Sequence, residues 1–147
     1  MKKFLLSAAV AAALALPGAA LAQTNEIVIG ITISTTGPAA ALGIPERNSL
    51  DFVAKEIGGV PLKVIVLDDA GDPTTATTNA RRFVTESKAD IIMGSSTTPP
   101  SIAVANVAAE ANLPHFGLAP FPITPERAKW SVSMPQPIPI VGKVMYD

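Results

Sequence analysis

Cysteine is absent from the 147 residues, and histidine, tryptophan and tyrosine occur once each. Without cysteine there are no disulfides and no thiolate metal sites, neither of which an exported protein requires. A lone His115 excludes a multi-histidine metal centre, and no metal ligand set or cofactor is expected. Basic clusters are also missing, which argues against nucleic acid or an anionic membrane surface as partner. Long apolar runs are confined to the amino terminus. There Lys2 and Lys3 precede the apolar stretch 4–16, Pro17 breaks it, and Ala20-Leu21-Ala22 supplies a small-x-small cleavage site. That stretch is shorter than the roughly 20 residues a membrane-spanning helix needs. Residues 1–22 are therefore expected to be a cleavable signal peptide. Without a cysteine after the site, a lipid anchor is not expected. Removing Lys2 and Lys3 from the 11 basic residues leaves nine against 12 acidic ones, a net charge of −3. The remainder suffices for one ordinary core.

Hydrophobic spacing then divides the chain into alternating elements. Residues 26–34, EIVIGITIS, read as a strand buried on both faces. A helix is expected from about Pro45, because Leu50, Val53, Ala54 and Ile57 share one helical face and Gly58-Gly59 ends it. A second strand covers 62–67, with Asp68-Asp69 at its carboxyl end. Asp72-Pro73 caps a helix whose inner face carries Ala76, Ala80, Phe83 and Val84. ADIIMGS is a third strand, 102–112 an alanine-rich helix, 115–119 a short fourth strand and 130–134 a fifth. The last residues read as a connection and the start of another helix. This order predicts an α/β fold, a doubly wound parallel sheet with strand order 2-1-3-4-5 and helices on both faces.

Ligands of such sheets bind at the carboxyl ends of the strands, where the strand order reverses. Three segments are expected to converge there: 34–38 (STTGP), 94–98 (GSSTT) and 119–123 (APFPI). All are small, hydroxyl-bearing or weakly apolar, and none contains an acid or a base. The stretch GSSTTPPS, 94–101, is no phosphate loop, because G-x-x-x-x-G-K-[ST] is not met. The dinucleotide fingerprint fails as well, since Gly30 and Gly37 are seven apart. A serine nucleophile needs a base, and His115 is expected at the opposite end of the sheet, so no catalytic residue is assigned. Thr97 or Thr98 is expected to cap the third helix, whose free amides attract an anion. Charge-assisted hydrogen bonds of roughly 1.5–3 kcal/mol each fall short of the ~8 kcal/mol of micromolar binding once desolvation is counted. One lobe alone should bind weakly. Asp68-Asp69 is read as a strand end capping a loop, ahead of a metal pair or a ribose-binding acid. Trp130 is assigned to packing, Arg81-Arg82 to solvated helix surface with Arg82 reaching a nearby acid, and His115 to the surface or a strand edge.

Several ordered motifs carry a resemblance: IGITISTTGPAAALG, GGVPLKVIVLDDAGDPTTATTNARRFV and DIIMGSSTTPPSIAVANVAAEANLP, behind a cleavable signal. Together they are similar to the type I periplasmic solute-binding proteins, and more narrowly to the branched-chain amino acid binding family of ABC importers. The resemblance implies two lobes closing on a ligand, no enzymatic activity, a periplasmic location and an inner-membrane ABC permease as partner. The chain then resembles an amino-terminal fragment: first lobe over 23–134, hinge and start of the second lobe over 135–147. By resemblance, Ser95 and Ser96, with Thr97, grip the carboxylate of a small ligand, and Ala119 and Phe121 supply contacts after strand four. Relatives often carry a small or hydroxyl residue at Phe121, so an aromatic there raises aromatic and aliphatic carboxylates beside branched-chain amino acids. A ligand-sensing domain of a receptor or regulator with the same fold is the alternative reading.

Overall fold

The computed structural model describes residues 26–146, so the expected signal peptide lies outside the described residues. Six strands form one sheet: β1 (Ile27–Ile33), β2 (Glu56–Ile57), β3 (Val60–Asp68), β4 (Ile91–Met93), β5 (His115–Gly117) and β6 (Ser131–Ser133). The helices are α1 (Ala40–Ser49), α2 (Pro73–Thr85), α3 (Thr98–Ala111), the single turn α4 (Pro125–Ala128) and α5 (Ile138–Tyr146). Spatial order is β2-β3-β1-β4-β5-β6. All neighbours are parallel except β2 and β3. Leaving out the short β2, this is the 2-1-3-4-5 order expected from the alternating pattern. The chain leaves β1 towards β3 on one side and later returns to β4 on the other, so the switch point lies between β1 and β4.

Pairing registers place Ile65, Gly30, Ile92, His115 and Ser131 in one row across the sheet. Above this row sits the main core, in which Val28 and Ile92 meet Ala76, Ala80 and Phe83 of α2 and Val104 and Val107 of α3. Alanines at the α2 contact let the helix approach closely, and Phe83 fills the space over Gly30. A β-carbon on Gly30 would lie 2.4 Å from the Phe83 ring. The expected inner face of α2 is thus buried, with Val84 half-covered, and Asn79 joins it. Asp72 caps α2 by accepting from the Thr75 amide at 2.6 Å, with Pro73 in the first turn. Asn112 closes α3 in the left-handed conformation.

The first helix departs from expectation. It starts five residues before Pro45, ends at Ser49 and passes through a 3-10 turn at Leu50–Phe52. Residues read as the far end of that helix instead form β2, antiparallel to β3 with Ile57 opposite Val60. Gly58 (φ 59°) and Gly59 (φ 82°) are both left-handed, the conformation that a two-residue hairpin requires. The glycine pair is a hairpin turn, not a helix stop. The helical face proposed for Leu50, Val53 and Ile57 has no partner to bury it, and Val53 and Ile57 are exposed.

A Gly30→Ala variant should lose roughly 1–3 kcal/mol of stability, because the added methyl displaces a fully enclosed ring. Urea unfolding of the intact protein measures this, and a loss no larger than that of an exposed substitution contradicts the packing described.

Candidate functional site

Where β4 ends, Gly94 takes φ 123°, and a β-carbon there would fall 2.0 Å from the Thr32 carbonyl oxygen of β1. Only glycine lets the chain leave the sheet so close to its neighbour. Ser101, one turn into α3, then fastens the loop. Its hydroxyl donates to the Ser95 carbonyl and accepts from the Ser95 amide, both at 2.9 Å. Thr97 occupies the amino-terminal cap of α3 without a side-chain cap bond, and Thr98 donates its hydroxyl to the Pro120 carbonyl at 2.6 Å. Pro99 and Pro100 carry no N–H, and the Ser101 amide is spent on the Thr97 carbonyl at 3.1 Å. The helix therefore offers an anion fewer donors than an ordinary amino terminus. The amides of Ser96, Thr97 and Thr98 meet no acceptor among the described residues.

Acids stand closer to this loop than the expected charge-free crevice allows. Asp69, fully enclosed, accepts from Thr32 Oγ1 (2.9 Å), Ser34 Oγ (2.7 Å) and the Gly71 amide (2.9 Å). Asn79 reaches across from α2 to Thr32 Oγ1 and to the Asp68 carbonyl. Asp68 accepts from the Thr35, Thr36 and Ala70 amides and from the Thr36 hydroxyl. Burial pushes the Asp68 carboxyl up, but these donors together outweigh it and hold its pKa below the usual range. The two acids do cap the loop after β1, as their place at a strand end suggested. The consequence reaches further: Ser34, held by Asp69, donates its amide to Ser96 Oγ at 3.0 Å, and Ser96 donates its hydroxyl to Glu46 of α1. Glu46 is raised in pKa by burial, with the Ser96 bond opposing and the Asp69 charge adding.

His115 is neither at the surface nor remote from the serine loop. It is 1% exposed, and because β4 and β5 are three residues long their two ends are close together. Its Nε2–H donates to the Gly94 carbonyl at 2.7 Å, since a carbonyl only accepts. Nδ1 is left to accept from Ser131 Oγ at 3.2 Å. Burial lowers its pKa, the Gly94 bond opposing. Both nitrogens are engaged, so His115 is a packing group of the loop's base and no base for Ser95.

Ser95 is buried, and its hydroxyl is the one enclosed side-chain polar atom without a partner among the described residues. Ser96 is buried but engaged as above. Thr97 borders a groove of about 500 Å³ with Pro38, Leu42, Ala70 and Asp72. Ala119 is buried, its carbonyl 3.4 Å from the Ser133 hydroxyl. Phe121 folds back onto β5: its ring lies 5.6 Å from that of His115 and takes the space beside Gly117. Its outer side lines an apolar cleft of about 460 Å³ with Pro120, Ile123 and Pro137. The first two expected segments thus meet directly through Ser34 and Ser96, and the third joins them through Thr98 and Pro120. Glu46 escaped the sequence reading because a helix starting at Pro45 leaves it in a solvated first turn. Arg82 does reach an acid, Glu86, at 3.2 Å.

Comparison with known proteins adds a second line of observation. A family model described as periplasmic binding protein matches residues 26–134. A Leu/Ile/Val-binding protein homolog 7 of Brucella melitensis biotype 1 is 37% identical over 123 residues, covering 80% of this chain and 30% of the relative. Among solved structures, an extracellular ligand-binding receptor from Rhodopseudomonas palustris is 77% identical with TM-score 0.82, covering 84% of this chain and 34% of that one. A solute-binding protein of an ABC transporter from Rhodopseudomonas palustris BisB5, in complex with 3,4-dihydroxy benzoic acid, is 26% identical with TM-score 0.67, covering 74% and 31%. The chain spans about a third of the length of these relatives.

Two outcomes test the network. Asp69→Asn should cost roughly 1–3 kcal/mol, because an amide nitrogen would face hydroxyls that now donate to a carboxyl oxygen; chemical denaturation reads it. Lowering the pH should destabilise the fold from about pH 6.5 downwards, where the unfolded chain protonates its histidine and the buried His115 does not. This loss continues until the depressed folded pKa is passed. The decline should flatten in His115→Gln when melting temperature is followed from pH 8 to 5.

Proposed function

Because this chain belongs to the periplasmic binding protein family, we propose that it forms the first lobe of an exported solute receptor that presents a small carboxylate to an ABC permease in the inner membrane. Under this reading residues 1–22 are a cleaved export signal, 23–134 the ligand-binding lobe, and 135–147 the hinge and start of a second lobe. The protein then works in the periplasm, and ligand is held between lobes without chemical change. One observation carries the assignment. At the switch point between β1 and β4, the buried Ser95 hydroxyl stands next in the chain to three amides, Ser96 to Thr98, and none of the four meets a partner among the described residues. Leaving the buried Ser95 hydroxyl unmet is costly, and an anion held at these amides would relieve that cost.

Ser95, Ser96 and Thr97 are assigned the carboxylate, and Ala119 and Phe121 the walls around the ligand body. The apolar cleft beside Phe121 suits an aromatic or branched aliphatic group. Two relatives frame the ligand class: one is a Leu/Ile/Val-binding protein homolog and the other holds 3,4-dihydroxy benzoic acid. Both ring nitrogens of His115 are engaged elsewhere, which supports binding by Ser95 over its use as a nucleophile.

Thermal melts of the intact protein should rise on adding leucine, isoleucine, valine, benzoate or 3,4-dihydroxybenzoate, by about 2.7 kcal/mol of added stability at 100 times Kd for a true ligand. Ser95→Ala and Ser96→Ala should weaken that ligand about tenfold or more while the unliganded fold survives. Unchanged affinity in both variants removes these serines from the site.

A further inference from the structure

Building on the carboxylate-receptor reading, we propose that Glu46, bonded to Ser96 of the serine loop, is a specificity-determining residue, selecting acids that also carry a hydrogen-bond donor, a hydroxyl or an ammonium, over plain carboxylates. The Ser96 hydroxyl has a single hydrogen, and it is donated to Glu46. One of its lone pairs accepts from the Ser34 amide at 3.0 Å. Ser96 therefore keeps one further lone pair next to a carboxyl group, while its own backbone amide meets no acceptor among the described residues. Two opposite polarities meet within one residue.

The surroundings reinforce the acidic side. Glu46 makes no ion pair among the described residues; the pairs formed are Lys63–Glu26, Arg81–Glu110 and Arg82–Glu86. From the end of β3, Asp69 adds a like charge, and Asp68 beside it is occupied by the loop after β1. On its own helix the next residue, Arg47, is exposed and makes no ion pair there. Burial already penalises an ionised Glu46, so a donor reaching it is favoured and a second anion alone is not. An acid with a donor satisfies both sides of the site. A plain acid satisfies the amides and is repelled by Glu46.

Isothermal titration of the intact protein at pH 7 with matched probes tests this: 4-hydroxybenzoate against benzoate, and L-leucine against 4-methylpentanoate. The donor-bearing member of at least one pair should bind about tenfold or more tightly, the worth of a hydrogen bond to a charged group. In Glu46→Gln the ratio should fall towards one, with the plain acid gaining and the donor-bearing acid losing. Should that variant fail to fold, Glu46→Asp withdraws the carboxyl by one methylene and should compress the same ratio. Equal affinities within both pairs, or a ratio unmoved by the variant, overturn the role of Glu46 and leave the carboxylate reading intact. Binding of none of the four probes sinks both.

Discussion

The carboxyl ends of β1 and β3 are organised by one buried carboxyl group, that of Asp69. It sits at the end of β3 with no access to solvent and is satisfied by two hydroxyls of β1 and its exit and by one amide of its own turn. A buried acid left short of donors is strongly unfavourable, so Thr32, Ser34 and Gly71 are not free to move independently. Asn79 extends the constraint to α2 through Thr32. From Ser34 the constraint passes to Ser96 and from there to Glu46, so β3, β1, the serine loop and α1 are held as one polar assembly. The serine loop is positioned by this assembly on one side and by Ser101 on the other.

Small residues make the assembly possible. Gly94 lets the β4 exit lie against the Thr32 carbonyl, Gly30 accepts the Phe83 ring, and Gly43 rests against the Ser34 carbonyl at a distance no β-carbon tolerates. Close backbone approach of this kind keeps the donors of the loop near those of β1, and the helix above brings bulk only where the core needs it. The prolines at 99 and 100 act in the opposite sense. By removing two amides from the first turn of α3 they leave Ser96, Thr97 and Thr98 as the amides there without an acceptor among the described residues.

Much of the fold was legible because its signals are local. Alternating Ile and Val in 27–33, the Asp72-Pro73 cap and the Ala76-Ala80-Phe83 spacing each encode an element within a dozen residues, and parallel crossovers then leave few strand orders. The misread helix shows where locality fails. Leu50, Val53 and Ile57 have helical spacing, yet Gly58-Gly59 turns the chain onto β3, a pairing no window of the sequence contains. His115 failed for a related reason. A three-residue strand puts its beginning within reach of the next loop, so naming one end of the sheet did not locate the side chain.

The sequence by itself determined the five parallel strands in their 2-1-3-4-5 order and the helices α2 and α3 between them, because periodicity, caps and topology rules act along the chain. Only the tertiary structure decided the electrostatics of the crevice at the switch point. Glu46 and Ser96 are 50 residues apart and Ser34 and Asp69 are 35 apart, and the hydrogen bond within each pair depends on distances set by packing, not by spacing. A loop that reads as neutral in one dimension therefore carries an acid at its side in three.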